Sequence, residues 1–197
     1  MMKKVAIFGG TFNPPHIGHL IMANEVFDAL ELDEVRFMPN AIAPHKATST
    51  SATNEQRLRM VELAIEEFPQ FSVERFEMER GGVSYTYDTM VAMRERNPDV
   101  QFYFIIGGDM IDSLHTWYHI DELVELVQFV GVKRPGTNAQ TTYNVQMVEA
   151  PEINLSSTFI RNRLQTGSTL QFLLQPAVEA YIRKEGLYGA SDIISVN

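Results

Sequence analysis

The sequence predicts an α/β domain with a mostly parallel sheet flanked by helices and a small helical C-terminal part. Three observations carry this. Short apolar runs recur and end at glycine or proline: KVAIFG at 4–9, EVRFMP at 34–39, QFYFIIGGD at 101–109 and FVGVKRP at 129–135. Such runs suit strands buried on both faces. Helix-patterned segments lie between them. The first strand, helix and strand are spaced for a right-handed crossover between parallel neighbours.

The elements follow in order. Residues 18–31 read as a helix with Leu20, Ala23, Val26, Phe27 and Leu30 on one face. Residues 40–54 are polar, proline-interrupted and rich in Ser, Thr and Ala, which predicts a long loop, of the kind that in compact domains is functional or disordered. A helix is expected over 55–67 and a strand over 71–76. The turn RGGVSY leads to a helix over 86–97, stopped by Asn97-Pro98. A short helix over 119–127 and a strand over 145–150 follow, then helices over 156–165 and 176–185. Residues 1–190 are read as a single domain and 191–197 as a flexible tail.

Composition narrows the function. The chain has 197 residues, no cysteine and a formal net charge of -9. Disulfides and thiolate metal sites are therefore excluded. Lys and Arg are scattered with no basic stripe, which argues against nucleic acid, while a few converging cations can still hold a small polyphosphate. The apolar run at the N-terminus is shorter than a signal peptide's, and no run approaches a membrane span. The expectation is a soluble cytoplasmic protein with neither membrane nor nucleic acid among its partners.

Chemistry concentrates after the first strand, in GGTFNPPHIGHL, Gly9 to Leu20. Ligands of open parallel sheets sit beyond the carboxyl ends of the strands. Glycines there let a ligand approach the backbone, prolines fix φ, and the N–H groups of the next helix favour an anion. His16 and His19 are three apart, so both lie around the helix's first turn and can face one anion. The loop matches neither the P-loop nor the dinucleotide fingerprint. The histidines also lack the i,i+4 spacing and the Glu of a zinc helix. Taken alone, the stretch also fits a Gly/Pro turn with two surface histidines. Near the other end, Ser156, Ser157 and Thr158 precede a helix; one hydroxyl suffices for a cap, which leaves two spare beside a helix dipole with Arg161 one turn on.

Together, GGTFNPPHIGH and NLSSTFIR (154–161) resemble the [HT]-x-G-H and I-S-S-T-x-I-R signatures of the nucleotidyltransferase superfamily, with Leu155 in place of the usual Ile. PHK at 44–46, SYTYDT at 84–89, FIIGGD at 104–109 and TWY at 116–118 extend the resemblance to the bacterial nicotinate-mononucleotide adenylyltransferases. It implies a Rossmann-like, doubly wound sheet, and transfer of AMP from ATP to nicotinate mononucleotide with release of pyrophosphate, in NAD biosynthesis. It also implies roles. His16, His19, Lys46 and Arg161 would act on the reacting phosphates. ATP would lie against Gly9, Gly10, Thr11, Phe12, Gly107, Asp109 and Arg134, with its phosphates on His16, His19, Ser156, Thr158 and Arg161. The mononucleotide would meet Lys46, Tyr85, Thr86, Asp109 and Tyr118, its pyridine stacking on Trp117. No metal ligand is implied in the chain; Mg²⁺ would be bound mainly through the ATP phosphates. A homodimer is left open. Nicotinamide mononucleotide or phosphopantetheine remain alternative acceptors, and a non-catalytic nucleotide sensor is the reading from outside the enzymes.

Overall fold

The computed structural model describes residues 2–41, 52–132, 141–151 and 153–190, with the side chain of Asp109 outside what it describes. Six strands form one sheet: β1 (Lys3–Gly10), β2 (Glu34–Pro39), β3 (Phe71–Val73), β4 (Val100–Gly107), β5 (Gln128–Val132) and β6 (Val145–Val148). Their order is β3-β2-β1-β4-β5-β6, and every neighbouring pair is parallel. The chain winds outward from β1 to β3, then returns to pair β4 with β1 on its other side. This is the doubly wound Rossmann-like order, and the reversal between β1 and β4 is where such sheets open a crevice for ligands.

The strands are apolar throughout because both faces are covered. Side chains alternate along a strand, so Ala6 and Phe8 face one core and Val5 and Ile7 the other. The first core receives α1 (Ile17–Ala29), α2 (Asn54–Ile65), α7 (Ser157–Gln165) and α8 (Pro176–Lys184), through residues such as Val26, Met60, Ile160 and Ile182. The second receives α4 (Thr86–Arg96), α5 (Gly108–Ile111) and α6 (Ile120–Leu126), through Met90, Ile111 and Leu123. Each large side chain fully buried this way contributes about 1.5–3 kcal/mol.

Three expected strands end early; the one expected over 145–150 stops at Val148. The strand expected over 71–76 stops at Val73, since β3 pairs only with Val35–Phe37 of β2. The Glu74 carboxylate then accepts from the Phe76 N–H at 3.3 Å, and the chain turns into the short helix α3 (Phe76–Arg80). The strand expected to run to Asp109 ends at Gly107, opposite Val132, and Gly108 opens α5. Short 3-10 turns at Leu114–Thr116 and Leu187–Gly189 have no periodic signature in the sequence.

Candidate active site

The site is built around the loop that leaves β1 at the mouth of the crevice. Phe12 takes a left-handed conformation (φ 48°), and the Asn13–Pro14 peptide is cis. Phe12 turns inward, 2% exposed, and its ring occupies the space a Cβ on Gly10 would need, 2.9 Å from the nearest ring carbon. A Cβ on Gly9 would lie 3.0 Å from the Phe104 ring on the other face. These glycines therefore make room for the protein's own aromatic rings, a requirement in addition to the ligand approach expected from the sequence.

His16 is the N-cap of α1, in extended conformation and 4% exposed. His19, on the first turn, stacks on it with ring centroids 3.7 Å apart. The His16 N–H donates to His19 Nδ1 at 3.1 Å, which puts the proton of a neutral His19 ring on Nε2. The edges of the Phe12 and Phe8 rings meet the His19 ring at 5.1 and 5.9 Å. A Cβ on Gly18 would lie 3.1 Å from His16 Nδ1, so glycine at this position is what lets the His16 ring fold over the helix start.

The two signatures, far apart in sequence, are in direct contact. Arg161 donates to the Asn13 carbonyl at 2.8 Å and to Thr158 Oγ1 at 3.0 Å. Ser157 donates to the Pro14 carbonyl at 2.8 Å. Ser156 caps α7 by accepting the Phe159 N–H at 3.2 Å. The expectation of two spare hydroxyls is corrected: Ser157 grips the first loop and Thr158 accepts from Arg161. The N-termini of α1 and α7, each the positive end of a helix dipole, converge on residues 13–16.

Other anchors escaped sequence reading. Arg57, on α2 and 4% exposed, donates to the carbonyls of Thr11 at 2.7 Å and Asn40 at 2.6 Å, and to Asn54 Oδ1 at 2.7 Å. Burial lowers its pKa. Tyr188, in the last 3-10 turn and itself left-handed, donates to Asn13 Oδ1. Burial pushes its phenol well above the ordinary range, against the pull of Arg161 and Arg57. The Ile17 N–H, at the start of α1, donates to the Leu173 carbonyl at 3.0 Å. No local pattern marks Arg57 or Tyr188. Their one sequence signal is being a charged or polar residue among apolar neighbours of a helix or turn.

On the other side of the crevice, Tyr85 precedes α4 at its N-cap position and its ring lies 4.8 Å from that of Tyr118. Thr86 is the first residue of that helix. Trp117 is half-buried, its ring edge-on to Phe104 at 6.0 Å and Phe129 at 5.9 Å. Gly107 and Gly108 are buried where β4 passes into α5. Lys46 and Arg134 lie outside the described residues, as do the side chain of Asp109 and residues 191–197. Among the described residues, no group of three or more His, Asp or Glu could hold a metal ion, and no helix is long and apolar enough to cross a membrane.

Known proteins share this fold. The cytidylyltransferase-like family model matches residues 7–163, from within β1 to within α7. The probable nicotinate-nucleotide adenylyltransferase of Geobacillus thermodenitrificans is 54% identical over 189 residues, covering 96% of this chain and 88% of the relative. That of Lactiplantibacillus plantarum is 54% identical over 190 residues, covering 96% and 90%. Among solved structures, the Plasmodium falciparum nicotinic acid mononucleotide adenylyltransferase complexed with NaAD superposes with a TM-score of 0.81 at 19% identity, over 97% of this chain and 100% of that one. At that identity it speaks for the fold alone. The chain belongs to the cytidylyltransferase-like family and, within it, to the nicotinate-nucleotide adenylyltransferases.

Proposed function

We propose that the chain transfers AMP from ATP to nicotinate mononucleotide, giving nicotinate adenine dinucleotide and pyrophosphate. The observation that carries this is the contact of the two signatures: Arg161 and Ser157 hold the carbonyls of Asn13 and Pro14 beside the stacked His16 and His19. High identity to named adenylyltransferases over nearly the whole chain supports the same reading.

A phosphate oxygen of the mononucleotide attacks the α-phosphorus of ATP. A new P–O bond forms as the bond from the α-phosphorus to the bridging oxygen breaks, and its electron pair leaves with pyrophosphate. The nucleophile is already an anion, so no protein base is needed. The difficulty is to bring two anions together and to stabilise charge on the transferring and leaving oxygens, which makes positioning and electrostatics the main contributions.

The residues are suited to that task. His19, with its ring proton on Nε2, donates to a phosphate oxygen, and His16 beneath it fixes its plane. Arg161 adds positive charge, and the two helix starts add N–H groups. Ser156, Thr158, Gly9, Gly10, Thr11, Phe12, Gly107 and Asp109 line the ATP side, with Arg134 beside them. Lys46 is assigned to the reacting phosphates. Tyr85, Thr86, Asp109 and Tyr118 receive the mononucleotide, with Trp117 against the pyridine. Mg²⁺, held mainly through the ATP phosphates rather than by side chains of the chain, would offset their charge. Residues 1–190 act as one domain in the cytoplasm, with no membrane or nucleic acid as partner. Initial rates of pyrophosphate release with ATP and nicotinate mononucleotide test the reading; a chain that binds ATP but releases no pyrophosphate on any acceptor would be the sensor instead.

A further inference from the structure

Among the described residues, two buried side chains of the Asp, Glu, Lys and Arg kind lie outside both signatures, Arg57 and Glu77. They reach the same residue from opposite sides. Arg57 donates to the Ala41 carbonyl at 3.4 Å while its other bonds hold Thr11 and Asn40. The Ala41 N–H donates to Ser84 Oγ at 3.2 Å, and the Ser84 hydroxyl faces the Glu77 carboxylate and favours its ionised form. Thr89 donates to Glu77 Oε1 at 2.9 Å and also lies 3.1 Å from the Tyr85 carbonyl. A continuous polar chain thus runs from the loop after β1, through Arg57, Ala41, Ser84 and Glu77, to the first turn of α4.

Glu77 is 6% exposed, and burying a carboxylate is costly unless its oxygens are satisfied. Burial raises its pKa, and the hydrogen bonds from Thr89 and Ser84, with the nearby Arg80 charge, pull the other way. Its oxygens are acceptors that draw the Thr89 hydrogen to Oε1 and the Ser84 hydrogen inward, which leaves Ser84 a lone pair for the Ala41 N–H. An apolar residue would fill the volume without setting either direction.

We propose that Glu77 is a positioning residue for the acceptor: through Ser84 and Thr89 it fixes the turn carrying Tyr85 and Thr86 at a set distance from the phosphate loop held by Arg57. This rests on the reading that Tyr85 and Thr86 receive the mononucleotide. Glu77 touches no substrate; its effect passes through the turn.

The test is steady-state kinetics of the full chain, with each substrate varied in turn, for the wild type, Glu77→Ala, Glu77→Gln and Ser84→Ala. Glu77→Ala raises the KM for nicotinate mononucleotide about tenfold, the scale of one lost charge-assisted hydrogen bond, while kcat and the KM for ATP change by less than about twofold. Ser84→Ala, which leaves Glu77 in place, gives the same split at about threefold. Glu77→Gln, which keeps the shape and one acceptor, recovers part of the loss. If Glu77→Ala does not fold, the split in the other two variants decides. Folded variants with an unchanged acceptor KM, or with equal losses for both substrates, overturn the inference. The wild-type arm judges the parent reading separately, since absence of turnover there refutes the acceptor assignment itself.

Discussion

The two sides of the crevice are built on different terms. The loop from Thr11 to His16 is pinned by Arg57 from α2, by Ser157 and Arg161 from α7, and by Tyr188 near the C-terminus. Five of its six residues are buried, Phe12 through His16. Across the crevice, Tyr85 and Tyr118 are 39% and 49% exposed and touch chiefly each other and neighbouring rings. One side is finished before any ligand arrives. The other keeps aromatic faces in water that a planar ring would cover. The contrast suits a reaction in which phosphate geometry sets the rate and an aromatic base sets the choice of acceptor.

The largest expected effect lies on the finished side. His19→Ala lowers kcat by about 100-fold, as loss of a transition-state donor does, with the fold intact by circular dichroism. A folded variant with near-normal kcat would remove His19 from the chemistry and erase the distinction between the two sides.

Next comes the anchor beneath the loop. Arg57→Met keeps length but leaves the Thr11 and Asn40 carbonyls without their guanidinium partner. Thermal unfolding is expected to register a loss of about 2 kcal/mol, or roughly 4–8 °C in Tm. An unchanged Tm would mean that the loop holds its shape without α2.

On the open side, Trp117→Ala raises the KM for the mononucleotide about tenfold, a loss of about 1.4 kcal/mol, with a smaller change for ATP. Equal losses for both substrates would make Trp117 a packing residue for Phe104 and Phe129 and nothing more.

The smallest effect lies at the far pole of the sheet, where Lys3, Arg36 and Ser72 surround Glu34. Burial works to raise this carboxyl, but those hydrogen bonds prevail and hold its pKa at about 2. A depressed carboxylate contributes stability above its unfolded value, and that stability is lost as pH falls from 4.5 toward 2. Glu34→Gln should therefore flatten this acid limb by about 1 kcal/mol, after allowance for solvent screening, and leave kcat and both KM values unchanged at neutral pH. A change in kinetics would show that the crevice feels the far end of the sheet.

How much of this is legible in the sequence depends on whether the cause is local. β1, β2 and β4 are continuous apolar runs, and the helix starts at His16 and Ser156 carry local signals, so the sheet and both signatures could be read directly. The short reach of β3 could not, because it depends on where β2 stops offering partners. The same holds for Ser157: its sequence reads as a spare hydroxyl, and only the fold brings it to Pro14. Arg57, Glu77 and Tyr188 are individually ordinary residues whose importance comes from long-range burial. Gly9 and Gly10 were legible as special, but their packing reason, the rings of Phe104 and Phe12, is a three-dimensional fact.

Whether this site joins AMP to nicotinate mononucleotide is read most directly from pyrophosphate release with ATP and a panel of three acceptors at equal concentration: nicotinate mononucleotide, nicotinamide mononucleotide and phosphopantetheine. The highest kcat/KM is expected with nicotinate mononucleotide, with nicotinate adenine dinucleotide as the product. No release with that acceptor, or a preference for phosphopantetheine, would contradict it.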